Sequence, residues 1–300
     1  MDRPEGETLT SEMRTMFILM RKNIVSMAGF IIVVVFLIMG IISPYILTKP
    51  EDAWGITYDV SKRYLPPSLE HPFGTDEYGR DMFNRVILGA RFSLIIAVGV
   101  VGLALIIGIP LGLIAGYSGG KTGTALMRIT DMFLAFPPLL LAIALAATLG
   151  RGLENAILAL AISWWPWYAR LIYVQVNTVK SMPYVDAARV LGLGRFTIMF
   201  RHVLPNALTP VAIQAALDMG SAVLEAAGLS FLGIGVQPPI PEWGLLVSQG
   251  WQSINVAWWI SFFPGLAILT TVLGFNLLAD FAREFMDPRL RITMMTKKVV

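Results

Sequence analysis

No cysteine occurs among the 300 residues, which excludes disulfides, thiolate nucleophiles and cysteine-ligated metals. Only two histidines, His71 and His202, are present, so a histidine-rich metal site is not expected either. Charge is scarce: 14% of residues are Asp, Glu, Lys or Arg, against about 25% in soluble domains. With 56% hydrophobic residues and a mean hydropathy of +0.68, the chain carries more apolar surface than a water-soluble core could hide. The net charge of +3 does not point to nucleic acid, because the basic residues lie in short loops between apolar runs and form no continuous stripe.

What is present is a set of six apolar runs, near 24–47, 92–116, 128–149, 156–176, 205–234 and 257–281. Crossing about 30 Å of hydrocarbon takes roughly 20 helical residues, and backbone groups in lipid must be satisfied within the helix. The expectation is an all-α polytopic membrane protein with six transmembrane helices in contact with membrane lipid. The first run is too long for a signal-peptide core and lacks a small-residue cleavage site, so it reads as a retained span. The divisions are an N-terminal segment 1–23, a first span 24–47, a loop 48–91, a five-helix core 92–281 that includes a long loop 179–207, and a tail 282–300. Arg14, Arg21, Lys22, Lys121, Arg128, the basic residues of 179–207 and those of the tail share one side. The positive-inside rule makes that side, and both termini, cytoplasmic. The 48–91 loop mixes basic residues with a slight acidic excess and reads as a folded external loop.

Two short motifs point elsewhere. In AGYSGGKTG, Ala115, Gly120, Lys121 and Thr122 fit a relaxed phosphate-loop pattern, and Ser118 stands at the nucleophile position of G-x-S-x-G. A phosphate loop needs a preceding strand and a following helix aimed at the phosphates, whereas membrane spans flank this turn. A membrane-bound hydrolase using Ser118 is the rival reading. It lacks the strand-to-helix setting, and nothing in the sequence brings His202 within reach of Ser118.

The segment 179–207 is more informative. Ser181 suits an N-cap, Pro183 the first turn, Asp186 the positive end of the dipole, and Gly192 with Gly194 supply a stop. The result is a helix of two or three turns with Tyr184, Val185, Ala188 and Leu191 on one side. Too short to be stable alone, it must dock, either on its own bundle or on a partner.

Its pattern D-A-A-x-x-x-G, with L-P twelve residues beyond the glycine, resembles the EAA loop of permease subunits in ABC importers. Asp186 stands where Glu is usual, Ala187, Ala188, Gly192, Leu204 and Pro205 match, and His202 replaces the usual isoleucine. The stretches His71 to Leu94, Gly228 to Val236 with the following PPIPEWG, and Asp287 to Arg291 resemble the C-type permeases of dipeptide and oligopeptide importers. That resemblance implies a type I ABC importer permease fold in which the loop is a coupling helix seated in a groove of a cytoplasmic ATPase. Tyr184 would be its aromatic anchor and the alanines would permit close approach. It further implies a complex with a B-type permease, two ATPase subunits and an extracellular solute-binding protein. This chain would be a transport subunit that binds no cofactor, with ATP and Mg used by the partners. The implied cargo is peptides, with oligosaccharides or nickel chelates as alternatives. Ahead of the second span, Met82, Phe83, Val86 and Ile87 recur at helical spacing, so an amphipathic helix at the outer interface is expected there.

Asp218 and Glu225 lie seven residues apart in the fifth run, on nearly one helix face. A carboxylate at mid-bilayer costs about 2.5–3.5 kcal/mol on insertion scales, so the two should face protein or water. They border a translocation path, or they hydrogen-bond across a subunit interface or become protonated; the sequence leaves these open.

Overall fold

The computed structural model describes residues 20–21 and 23–286. Most of the N-terminal basic segment and the 287–291 motif lie outside the described residues. Helix α1 (Ile24–Ile46) starts at Asn23, whose side chain accepts hydrogen bonds from the Val25 and Ser26 amides at 3.0 and 3.3 Å. It lies along the last helix, α10 (Trp259–Met286), where small residues allow close approach: a Cβ on Gly29 would stand 2.7 Å from Leu277 Cβ.

Between α1 and the next long helix, residues 47–81 form a cap containing α2 (Pro50–Ala53) and a 3₁₀ turn, Val60–Lys62. The only β feature among the described residues is an isolated bridge between Thr75 and Asp81. The amphipathic helix expected ahead of the second span is not a separate element. Met82, Phe83, Val86 and Ile87 occupy the first turns of α3 (Met82–Ser118), a single helix of 37 residues. The cap makes this possible, because it buries and pairs the polar residues that interrupt the apolar pattern. Asp81 caps α3 by accepting from the Asn84 amide at 3.0 Å and also accepts from His71 Nδ1 at 2.8 Å. Asn84 Oδ1 in turn accepts the Thr48 and Lys49 amides. Arg85, with no exposed surface, points its Nε toward Asp76 at 3.7 Å. Trp259 Nε1 donates to the Thr75 carbonyl at 3.0 Å, tying the start of α10 to the same cap.

The core is built on α3 and α6 (Leu153–Lys180), the most extensive helix pair. Gly108, Gly112 and Gly116 recur every four residues on α3 and form the seam. A Cβ on Gly108 would stand 2.8 Å from the Trp165 carbonyl oxygen, and one on Gly112 would collide with Ile172 and the Ala169 carbonyl. Small residues at i, i+4 let backbones approach closely, which is how helices pack where surrounding lipid is as apolar as they are. Gly112→Leu is therefore expected to destabilise the bundle by at least the 1–3 kcal/mol typical of overpacking. The check is a fall in the aggregation temperature of detergent-solubilised protein, with Gly102→Leu, a site with open space, unchanged.

The third apolar run differs from expectation. In place of one straight helix, α4 (Gly120–Leu134) and α5 (Pro138–Leu149) meet at 84°. Pro137 and Pro138 cause the break: neither donates a backbone hydrogen bond, and Pro138 drives Pro137 out of the helical region, to ψ 125°. Neither half is long enough alone for 30 Å of hydrocarbon. Among the described residues, five helices are long and apolar enough to cross a membrane, or six if the bent pair is one span. The others are α1, α3, α6, α10 and the continuous helical stretch Arg195–Phe231, which ends in α8 (Leu204–Phe231). A shorter helix, α9 (Trp243–Trp251), packs beside α10.

Candidate functional site

Two places carry the polar and exposed residues that the packing does not explain. The first is the connection from α6 to α8. At the end of α6, Lys180 Nζ donates to the Gly116 carbonyl of α3 at 2.5 Å. Helix α7 (Pro183–Val190) follows, with Pro183 in its first turn. Ser181 is not its cap: its hydroxyl donates back to the Thr178 carbonyl at 2.9 Å, and Met182 takes the N-cap position without a side-chain bond. At the far end Gly192 has φ +80°, the left-handed conformation that glycine adopts freely, and Leu193 N donates to the Ala188 carbonyl at 3.2 Å.

The side expected to carry Tyr184, Val185, Ala188 and Leu191 together is divided. Val185 and Ala188 are buried in the chain's own core, so the close approach expected of Ala188 toward a partner is made within the bundle. The four span about 120° of arc, with Leu191 and Tyr184 together at one edge and Ala188 and Val185 toward the other, and only the second edge is covered. Tyr184 is exposed on its ring while its hydroxyl donates to the His202 carbonyl at 3.0 Å. Partial burial pushes that hydroxyl pKa up and keeps it a donor. Asp186 and Ala187 are exposed, with Asp186 paired to Arg189 at 2.5 Å. Val190 and Leu191 are 87% and 80% exposed, and Phe196 in the following turn 74%. Bare apolar residues on a helix anchored from behind are what an interaction surface requires.

From that turn the chain enters a π-helix, Ile198–Val203, before Leu204 and Pro205 open α8. The π turn places the His202 carbonyl where both Tyr184 and Asn206 reach it. Leu204 is half-buried and Pro205 exposed in the first turn of α8. This π-helical segment packs on both α7 and α8 and so links them.

The second place is along α8. Tyr168 donates to Asp218 Oδ2 at 2.8 Å, Gln214 to Asp218 Oδ1 at 2.7 Å, and Trp164 Nε1 to Glu225 Oε2 at 2.9 Å. Trp164 and Tyr168 are one turn apart on α6, so two aromatic donors on one helix hold two carboxylates on the next. The sequence reading found the carboxylates and missed their partners. Both carboxylates are half-buried and Ser221, between them, is exposed. Gln214, Asp218, Ser221 and Glu225 make a polar stripe along one side of a spanning helix.

Ser118 ends α3 and is followed by Gly119 and Gly120, both at positive φ. No strand precedes this turn, and the His202 contacts lie within its own segment, so the hydrolase reading finds no geometry among the described residues.

Residues 108–292 match the family model described as binding-protein-dependent transport system inner membrane component. Residues 11–67 match the N-terminal TM domain of oligopeptide transport permease C. The chain is 43% identical over 289 residues to a dipeptide transport system permease protein of Alkalihalophilus pseudofirmus, covering 96% of this chain and 94% of that one. It is 42% identical over 287 residues to a probable D,D-dipeptide transport system permease protein of Escherichia coli, covering 96% and 95%. A glutathione transport system permease protein of Pectobacterium atrosepticum is 40% identical over 234 residues, 78% of each chain.

Proposed function

Since this chain belongs to the family of binding-protein-dependent transport system inner membrane components, as an ABC permease subunit and not an enzyme, we propose that it forms half of an ATP-driven peptide path across the cell membrane. The carrying observation is the construction of α7: Val185 and Ala188 anchor it to the bundle while Leu191 and Val190 stand bare. Such a helix transmits a push from a partner to α6 and α8. In this reading Tyr184, Asp186, Ala187 and Gly192 shape the coupling surface for a cytoplasmic ATPase. Ala188 fixes the helix from behind, and Leu204 and Pro205 carry the movement into α8. The remaining partners are a B-type permease, a second ATPase subunit and an extracellular solute-binding protein, with ATP and Mg used by the ATPases. Asp218 and Glu225 border the path.

The names of the relatives favour peptides over oligosaccharides or nickel chelates as cargo. The test is to copurify the chain with its ATPases, reconstitute the complex with its binding protein, and measure uptake of a labelled dipeptide. Failure to retain an ATPase would overturn the permease assembly; retention with uptake of nickel chelate or oligosaccharide alone would overturn the cargo.

Orientation follows from the basic residues: both termini and Lys121 are cytoplasmic, and the cap at 47–81 is external. Because the chain has no cysteine, single cysteines report cleanly. A cysteine at Ser118 should react with an impermeant thiol reagent only after the membrane is opened, and one at exposed Ser61 in intact cells. The reverse pattern would invert the topology.

A further inference from the structure

We infer that the polar stripe of α8 is a recognition site for an ammonium group, and that it takes the free amino end of the peptide cargo. Trp164 and Tyr168 act as positioning residues for its two carboxylates. The inference rests on the reading that α8 borders the path.

Three observations carry it. Asp218 and Glu225 bring two acidic groups into a spanning helix, and among the described residues neither forms an ion pair. Arg283 on α10 pairs with Asp280 at 3.5 Å instead. Second, each carboxylate is fixed by a neutral donor that leaves acceptor capacity over. Glu225 Oε2 takes the Trp164 indole, whereas Oε1 has no hydrogen bond and is not enclosed. Asp218 receives one donor on each oxygen, and a carboxylate oxygen accepts two. Third, the groups are in line: seven residues separate the carboxylates by about 10 Å along the axis, with the exposed Ser221 hydroxyl between them.

A site made of acceptors, held in place by neutral donors, selects a cation with hydrogens to donate. An ammonium group offers three. A guanidinium of the partner permease could occupy the same acceptors, but it would close the stripe inside the subunit interface and leave Ser221 unreachable. Neutral donors suit a transient ligand better than a lysine or arginine would: they orient the carboxylates without cancelling their charge. The spacing also lets an amino group pass from one carboxylate to the other in steps, so no single site holds it tightly.

The experiment uses Ser221→Cys in the assembled importer, with cysteine-free partner subunits. Labelling rates are measured with a cationic methanethiosulfonate, the trimethylammonium-ethyl reagent, and with the anionic sulfonatoethyl reagent, each divided by its rate with a free thiol. The cation is expected to be favoured about tenfold, the lower end of what a focused charge does to local counter-ion concentration. The preference should vanish when Asp218→Asn and Glu225→Gln are added. Alanylalanine should slow labelling, and N-acetyl-alanylalanine should not. Trp164→Phe keeps both charges and should keep the cation preference while weakening alanylalanine protection by about tenfold, as expected for loss of a hydrogen bond to a charged group. Labelling at equal rates by both reagents, or equal protection by the acetylated peptide, overturns ammonium recognition while leaving the path reading intact. Unchanged protection in Trp164→Phe overturns the positioning role. No labelling by either reagent shows a sealed interface and overturns the path reading itself.

Discussion

Leu191→Asp is expected to reduce cargo-stimulated ATP hydrolysis to below about a tenth of wild type while leaving the permease folded and inserted. Leu191 is 80% exposed at the edge of the strip that Ala188 and Val185 bury, so a charge there stays in solvent and leaves the chain's own core intact. If the outward face of α7 is the ATPase contact, the change buries an unpaired carboxylate at the centre of an interface. Truncation of such residues commonly costs 2 kcal/mol or more, a factor of about thirty. Gly192→Val attacks the same surface through the backbone: at φ +80° a β-branched residue is strained by about 1–3 kcal/mol, although no neighbour lies within 4 Å of an added Cβ. Ala188→Trp would be a poor test, because the ring would have to enter the chain's own core. The measurement is ATPase retention and cargo-stimulated turnover on purified complex. Normal values for both in Leu191→Asp and Gly192→Val would remove α7 from coupling, and Val185→Ala should lower thermal stability without this selective loss.

Asp81→Ala should cost the cap about 3–5 kcal/mol, the range for breaking a buried charged pair. It removes the N-cap of α3, the acceptor for His71 Nδ1 and the carboxylate facing Lys49 at 3.5 Å in one step. The same residue gives a pH dependence. Burial alone would raise the Asp81 pKa, but the hydrogen bonds from Asn84 and His71 and the charge of Lys49 outweigh it and hold it below the ordinary value of 3.8. A carboxylate with a lowered native pKa binds fewer protons folded than unfolded. Its contribution is thus fully present above the unfolded value and is lost as pH falls through the native one. Thermal melts of wild type should therefore fall below about pH 4 more steeply than those of Asp81→Asn. Parallel curves for the two would show that Asp81 does not hold the cap.

Much of this was legible from residue order. The apolar runs located the spans because lipid imposes a length and a composition, and Pro183, Asp186 and Gly192 located α7. Hydropathy averages over a window, so it passed across Pro137-Pro138 and reported one helix where two meet at 84°; the proline pair itself was the available signal. The continuity of the expected amphipathic helix with the second span was hidden because Asn84 and Arg85 interrupt the apolar pattern until the cap supplies their partners. Small residues four apart at Gly108, Gly112 and Gly116 carried the α3–α6 seam in plain view. No local pattern pointed to Trp164 as the donor to Glu225, since 61 residues separate them and only the packing of α6 on α8 unites them. The division of α7 into an anchored and a bare side depended likewise on what lies behind it.

The glycine seam between α3 and α6 also sets how the molecule can deform. Side chains at an interface act as springs, since rotamers can shift and absorb displacement; a contact made by backbone against backbone has none to give. The two helices therefore behave as one beam, clamped at its end where Lys180 holds the Gly116 carbonyl. Three residues from that clamp, α7 begins. A load applied to α7 reaches the beam at its tip with almost no slack, so the pair tilts as a body instead of bending. Compliance has to come from elsewhere, and the elbow between α4 and α5 is a joint in the framework where the chain turns by 84° and backbone hydrogen bonding is already interrupted.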